Sequence, residues 1–205
     1  MSYSRPKLVM ALGSSGGYRA FLDIMQSVDP ELKRNGAIYF LEHVGPSDEE
    51  RDLYKEAGID MDDSLVDDGR VLDSRLHFQP HVYEVRGQRD YVHVIAPDSK
   101  NTKLLFRQVK PDKRMLGFSY NIRNAFDAGY ADDIMLIFMS GMGDDGLNAF
   151  DYAKERKSKI LIQEPETAII EESPMIMMRG AIYSKTPHLV LEPGEIGNRI
   201  NNFMF

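Results

Sequence analysis

The sequence predicts an α/β fold, a three-layer sandwich with a mostly parallel, doubly wound sheet and an antiparallel hairpin. Three observations predict it. Apolar runs too short for helices recur at residues 7–12, 36–44, 134–139 and 159–163. Stretches with helical spacing of apolar residues separate them, so strand and helix alternate as in a parallel sheet. Between residues 71 and 109 polar and apolar residues alternate instead (His81-Val82-Tyr83-Glu84-Val85, then Tyr91-Val92-His93-Val94-Ile95). That is the period of half-buried antiparallel strands, and Arg86-Gly87-Gln88-Arg89-Asp90 supplies the turn between them.

Taken in order, the first strand runs into Gly13-Ser14-Ser15-Gly16-Gly17, and a helix follows with Phe21, Leu22, Ile24, Met25 and Val28 on one stripe, ending near Pro30. The second strand, 36–44, carries Glu42 and His43 at its carboxyl end before Gly45-Pro46 breaks it. Ser47 and Glu50 form a capping box for a charged helix to about Ala57. Five aspartates between 60 and 68 lack the regular spacing of a calcium-binding loop and read as a solvated acidic loop. Helical spacing returns at 118–126. The strand at 134–139 is the most apolar of all, and Ser140-Gly141-Met142-Gly143-Asp144-Asp145-Gly146 leads from it towards a helix ending near Arg156. A strand at 159–163, a Met-rich helix from Ser173 with Pro174 in its first turn, a short strand at 188–191 and a terminal amphipathic helix from Ile196 complete the chain. Met175, Met177 and Met178 read as core.

Composition narrows the function. The 205 residues, 42% hydrophobic, suffice for one domain spanning 1–205, with no repeat or linker. A net charge of −7, without a basic block, speaks against a nucleic-acid partner. The absence of cysteine excludes disulfides, thiol nucleophiles and cysteine metal sites, and fits a reducing cytoplasm. Residues 1–7 lack the apolar core of a signal peptide, and no apolar run reaches the roughly 20 residues of a membrane span, so a cytoplasmic protein without membrane insertion is expected. His77, His81, His93 and His188 show no metal-ligand spacing and read as structural or exposed, so no metal is expected.

In parallel α/β sheets, ligands bind outside the carboxyl ends of the strands. Three such ends carry reactive groups here: Ser14 and Ser15, His43, and Asp144 and Asp145. A hydroxyl, an imidazole and a carboxylate are the parts of a serine-hydrolase triad. The imidazole removes the hydroxyl proton, and the carboxylate fixes the imidazole tautomer. The chain order Ser, His, Asp matches none of the familiar hydrolase orders, and the Gly-x-Ser-x-Gly elbow is absent because position 12 is Leu. Each part also has a plain structural reading. The glycine turn could hold an anion at a helix N-terminus, although both nucleotide-binding glycine patterns are missing. His43 could be structural, and either aspartate could cap a helix.

Together the three strand ends resemble the catalytic domain of CheB-type protein-glutamate methylesterases of bacterial chemotaxis. That family carries a Gly-Ala-Ser-Thr-Gly-Gly-like turn, similar to Leu12-Gly13-Ser14-Ser15-Gly16-Gly17. Its Gln-His-Met-like segment resembles Glu42-His43-Val44, and its Thr-Gly-Met-Gly-x-Asp-Gly is similar to Ser140 through Gly146. Weaker likenesses lie at Val94-Ile95-Ala96-Pro97, at Ser119-Tyr120-Asn121 and at Ile162-Gln163-Glu164-Pro165. The resemblance spans about 7–200, and the Gly-Met-Gly-x-Asp-Gly motif is its specific part.

The resemblance implies Ser14 as nucleophile, His43 as base and Asp145 as the carboxylate orienting it, with Asp144 at a variable position. It implies the backbone N–H groups of Ser15 and Met142 as oxyanion donors. The implied activity is hydrolysis of glutamate γ-methyl esters on the cytoplasmic helices of methyl-accepting chemoreceptors, without a cofactor, and glutamine deamidation is chemically adjacent. The family's typical receiver domain has no counterpart in this sequence, so phosphorylation control in cis is not expected, and a separate response-regulator or signalling protein is a candidate partner beside the receptor. Tyr18 and Val44 depart from the family's Pro and Met. The alternative expectation is a catalytically silent CheB-like binding module within a signalling complex.

Overall fold

The computed structural model describes residues 7–35, 37–42, 48–59, 61–62, 82–88, 91–96, 105–109, 117–127 and 134–204. In chain order the elements are β1 (Leu8–Gly13), α1 (Gly17–Gln26), α2 (Pro30–Asn35), β2 (Ala37–Glu42), α3 (Asp48–Glu56), β3 (Met61–Asp62), β4 (Val82–Gln88), β5 (Tyr91–Ala96) and β6 (Leu105–Val109). They continue with α4 (Gly117–Asp127), β7 (Ile134–Phe138), α5 (Ala149–Glu155), β8 (Lys159–Gln163), α6 (Glu172–Tyr183), β9 (Leu189–Leu191) and α7 (Pro193–Met204). A 3₁₀ turn, Pro165–Thr167, links β8 to α6. No helix among the described residues is long and apolar enough to cross a membrane.

The strands lie in the order β6-β5-β4-β2-β1-β7-β8-β9, with β3 also against β4. From β4 through β9 neighbouring strands are parallel. The expected α/β sandwich with a mostly parallel sheet is the observed architecture. Strand β4 departs from the sequence reading, since it joins the parallel sheet beside β2 from Ile38↔Val82 to Glu42↔Arg86. Its last residues pair antiparallel with β5, and β5 pairs antiparallel with β6. One strand can pair parallel along one edge and antiparallel along the other, so the alternation of residue types could not assign both partners of β4.

Strand parity builds the layers. Leu8, Met10 and Leu12 of β1 join Ile134, Leu136 and Phe138 of β7 in a core with residues of α4, α5 and α6. Val9 and Ala11 join Met135 and Ile137 in a second core with α1, α3 and α7. Both faces of the sheet are thus covered, which is why its central strands read as continuous apolar runs. In the second core Phe21 stacks on Phe40 with centroids 4.5 Å apart, and Tyr54 meets both rings edge-on. Such aromatic contacts add about 1 kcal/mol each beyond burial.

Two local expectations change. Pro30 opens a helix, α2, rather than only closing the preceding one, because proline's fixed φ suits the first helical position. Within the acidic stretch, Met61 and Asp62 form β3; its remaining residues, Ser47 and the turn at 89–90 lie outside the described residues.

The connection from β1 to β2 uses α1 on one face, and that from β7 to β8 uses α5 on the other. Since β2 and β8 lie on opposite sides of the β1–β7 pair, the strand order reverses between β1 and β7. A crevice opens at such a reversal, outside the carboxyl ends of the two strands. A separate cleft lined by Met135, Ile160, Leu161 and Phe203, with Lys159 and Arg199, opens at the amino ends of β7 to β9 and contains none of the predicted site residues.

Candidate active site

The β1–β7 pairing runs past the ends of both strands. The Met139 N–H donates to the Leu12 carbonyl at 2.9 Å, and the Ser14 N–H donates to the Ser140 carbonyl at 3.1 Å. This carries the two predicted turns side by side. Ser14 then leaves the sheet. Its carbonyl accepts the Gly17 N–H at 2.7 Å, and α1 starts behind it with Gly16 as its N-cap. Gly16 has φ +77°, and a Cβ there would lie 2.9 Å from Ser140 Oγ and from Ile169 Cβ. Only glycine fits this turn without strain.

The central contact is between the two turns: the Met142 N–H donates to Ser14 Oγ at 2.9 Å. Two of the predicted site residues, 128 positions apart, therefore meet directly. Ser14 is half-buried, Ser15 is exposed beside it, and the Met142 side chain stands 59% exposed at the rim. Gly141 makes the approach feasible. A Cβ at this position would sit 2.6 Å from Ser14 Oγ and 2.9 Å from the Ser14 backbone nitrogen. Because one of those atoms is backbone, a side-chain rotation cannot relieve the clash. Gly141→Ala is expected to displace Ser14 and lower kcat of the hydrolysis proposed below by about 100-fold, the usual consequence of misplacing a reacting group by an ångström. Steady-state kinetics beside a urea melt checks this.

Asp145 is buried, 5% exposed, and its carboxylate sits on the first turn of α4. Oδ2 accepts the Phe118 N–H at 2.9 Å, and Oδ1 accepts the Ser119 N–H at 3.1 Å and the Ser119 hydroxyl at 3.2 Å. The Ser119 hydroxyl in turn accepts the Gly146 N–H at 3.1 Å. The first N–H groups of a helix have no partner inside it, and a carboxylate there also meets the positive end of the helix dipole. Asp145 is thus a helix cap, as its plain structural reading allowed, but it caps α4 from outside that helix. Helix α5 begins only at Ala149. Asp144 is exposed. The geometry separates the two aspartates that spacing left equivalent.

His43 lies outside the described residues. Strand β2 ends one position before it, at Glu42, which pairs with Gly13 of β1. Of the other histidines, His188 is held by its own neighbourhood, with Nδ1 2.9 Å from the Thr186 carbonyl oxygen. Among the described residues no group of three or more potential ligands could hold a metal ion.

Sequence reasoning missed the residues that support these turns. Ser140, Gln163 and Ser119 are all buried and all hydrogen-bonded to the turn residues or to Asp145. Each falls inside a segment of the resemblance, which was the available signal. Single residues gave no indication that their side chains turn inward.

A family model described as CheB methylesterase matches residues 81–200. That span contains Met142 and Asp145, while Ser14 and His43 precede it. No curated protein matches the sequence significantly. Among solved structures, the catalytic domain of the Thermotoga maritima CheB methylesterase superposes with a TM-score of 0.70 at 16% identity. The match covers 97% of this chain and 99% of that one, so the two share a fold from end to end. With the family model matching more than half of its length, the chain belongs to the CheB methylesterase family.

Proposed function

We propose that the protein is a protein-glutamate methylesterase that hydrolyses glutamate γ-methyl esters on chemoreceptor cytoplasmic helices. The observation that carries this reading is the Met142 N–H directed at Ser14 Oγ across the β1–β7 crevice. A hydroxyl held at a strand end beside an aimed backbone donor suits acyl transfer, where negative charge develops on a carbonyl oxygen next to the attacking atom. A phosphate-binding turn would need several donors converging on empty space instead.

In the proposed reaction Ser14 Oγ attacks the ester carbonyl as His43 takes its proton. The carbonyl oxygen becomes an oxyanion, bound by the Met142 and Ser15 N–H groups. The intermediate collapses, and the C–O bond to the methoxy group breaks. Methanol leaves with the proton from His43, and a glutamyl–serine ester remains. Water then attacks that ester, giving its proton to His43 and restoring Ser14 as the glutamate is released. Asp145 holds the His43 imidazole in the working tautomer. The same steps with ammonia as leaving group deamidate glutamine. The protein is proposed to work in the cytoplasm, with residues 1–205 as its catalytic domain.

The test is release of labelled methanol from a receptor cytoplasmic fragment methylated in vitro. Release proportional to enzyme concentration supports the esterase. Binding to the fragment without release sinks it in favour of the silent module.

A further inference from the structure

We propose that Ser140 and Gln163 are positioning residues that hold the Met142 donor and the Ser14 turn in register for catalysis. This rests on the methylesterase reading. Ser140 is fully buried and joins three segments. Its hydroxyl donates to the Ser15 carbonyl at 3.1 Å and accepts the Ile170 N–H at 2.9 Å. Its carbonyl accepts the Ser14 N–H at 3.1 Å. Both residues of the nucleophile turn are therefore tied to this one side chain and its backbone.

The fourth bond leads to Gln163, at the end of β8 and 1% exposed. Its Oε1 accepts the Ser140 N–H at 2.9 Å, and its Nε2 donates to the Thr167 carbonyl at 3.1 Å and Oγ1 at 3.2 Å. Each polar atom of the amide is used, so its orientation is fixed by its partners. The chain following Thr167 grips the other side of the same loop. The Gly141 N–H donates to the Ile170 carbonyl at 3.2 Å, and the Ser173 N–H donates to the Gly141 carbonyl at 2.9 Å. The Gly143 N–H reaches Glu172 Oε1 at 3.3 Å.

Met142 thus sits in a loop held on both sides by the 163–173 segment. Neither Ser140 nor Gln163 touches the reacting atoms. They act through the donor, and a donor fixed before substrate arrives needs no reorganisation as charge develops.

The test compares wild type with Ser140→Ala, Ser140→Thr and Gln163→Leu in two assays, alongside thermal melts. One is kcat and KM for methanol release. The other is the rate at which a fluorophosphonate labels Ser14, in which Oγ forms a bond to phosphorus, fluoride leaves and His43 takes the proton. Both reactions use the oxyanion donors. We expect Ser140→Ala and Gln163→Leu to lower kcat and the labelling rate by roughly tenfold or more, with KM within about twofold. Ser140→Thr, which keeps the hydroxyl and matches the residue type in the resembling motif, should recover most of the loss. Should Ser140→Ala fail to fold, Gln163→Leu tests the same N–H from the opposite side. Folded variants that label and turn over at the wild-type rate overturn the proposal while leaving the esterase intact, as does a loss confined to KM. A wild type that releases no methanol overturns both.

Discussion

Ser14→Ala is expected to remove esterase activity by roughly 10⁴-fold or more while leaving the fold intact. The magnitude follows from what the hydroxyl does in the proposed reaction. Without Oγ no acyl-enzyme forms, and the remaining donors only stabilise a direct attack by water. The fold should survive because Ser14 anchors the turn through its backbone: its N–H to the Ser140 carbonyl and its carbonyl to the Gly17 N–H are independent of the side chain. Only the Met142 N–H loses its acceptor, and Met142 is exposed enough for water to replace it. Methanol release from a methylated receptor fragment measures the loss, and an unchanged urea midpoint shows that the fold remains. Ser15→Ala is the natural control, since the Ser15 donor is its backbone N–H; its loss should be far smaller. Equal activity of Ser14→Ala and wild type would falsify the nucleophile assignment.

Asp145 should show two separable effects. Its carboxylate accepts three hydrogen bonds at the buried start of α4. Asp145→Ala leaves those donors without that acceptor, and a lost cap together with unsatisfied buried donors costs about 2–4 kcal/mol. In the proposed mechanism the same carboxylate orients His43, so kcat should fall by roughly 10³- to 10⁴-fold, the scale seen when a triad carboxylate is neutralised. Asp145→Asn separates the two. It keeps one carbonyl oxygen for the helix and should lose less stability than Asp145→Ala, yet lose nearly as much kcat. Ser119→Ala provides the opposite case. It removes a partner of the cap and of the Gly146 N–H without touching the charge. Its cost should be about 1 kcal/mol of stability with a much smaller loss of rate. If Asp145→Asn retains wild-type kcat, the residue is a helix cap and nothing more.

The double use proposed for this carboxylate bears on how a small α/β domain builds a site. The α4 N-terminus needs an acceptor, and the triad needs a carboxylate held still. In the proposed mechanism, Asp145 on the helix start would meet both needs with one buried group, and the three bonds to Phe118 and Ser119 fix its position. The Ser14 turn is built the same way, with the backbone of one strand end bonded to the backbone of the next.

Most of the elements were legible in the chain, although α2 and β3 were not. Runs such as Leu8–Gly13 and Ile134–Phe138 are legible as strands because burial on both faces demands continuous apolar side chains. The turns after them are legible because glycine marks places where a Cβ has no room, as at Gly16 and Gly141. Spacing alone left Ser14 beside Ser15 and Asp144 beside Asp145 without a choice, and the family resemblance made that choice for the sequence. Which partners these residues have becomes legible only in the folded chain. That Asp145 caps α4 across 27 positions, that Gln163 bonds Ser140 across 23, and that Met142 faces Ser14 across 128 are consequences of strand order. Local periodicity reports which face of an element is buried. It carries no information about which other element lies against that face, since apolar burial is non-directional and any complementary surface satisfies it.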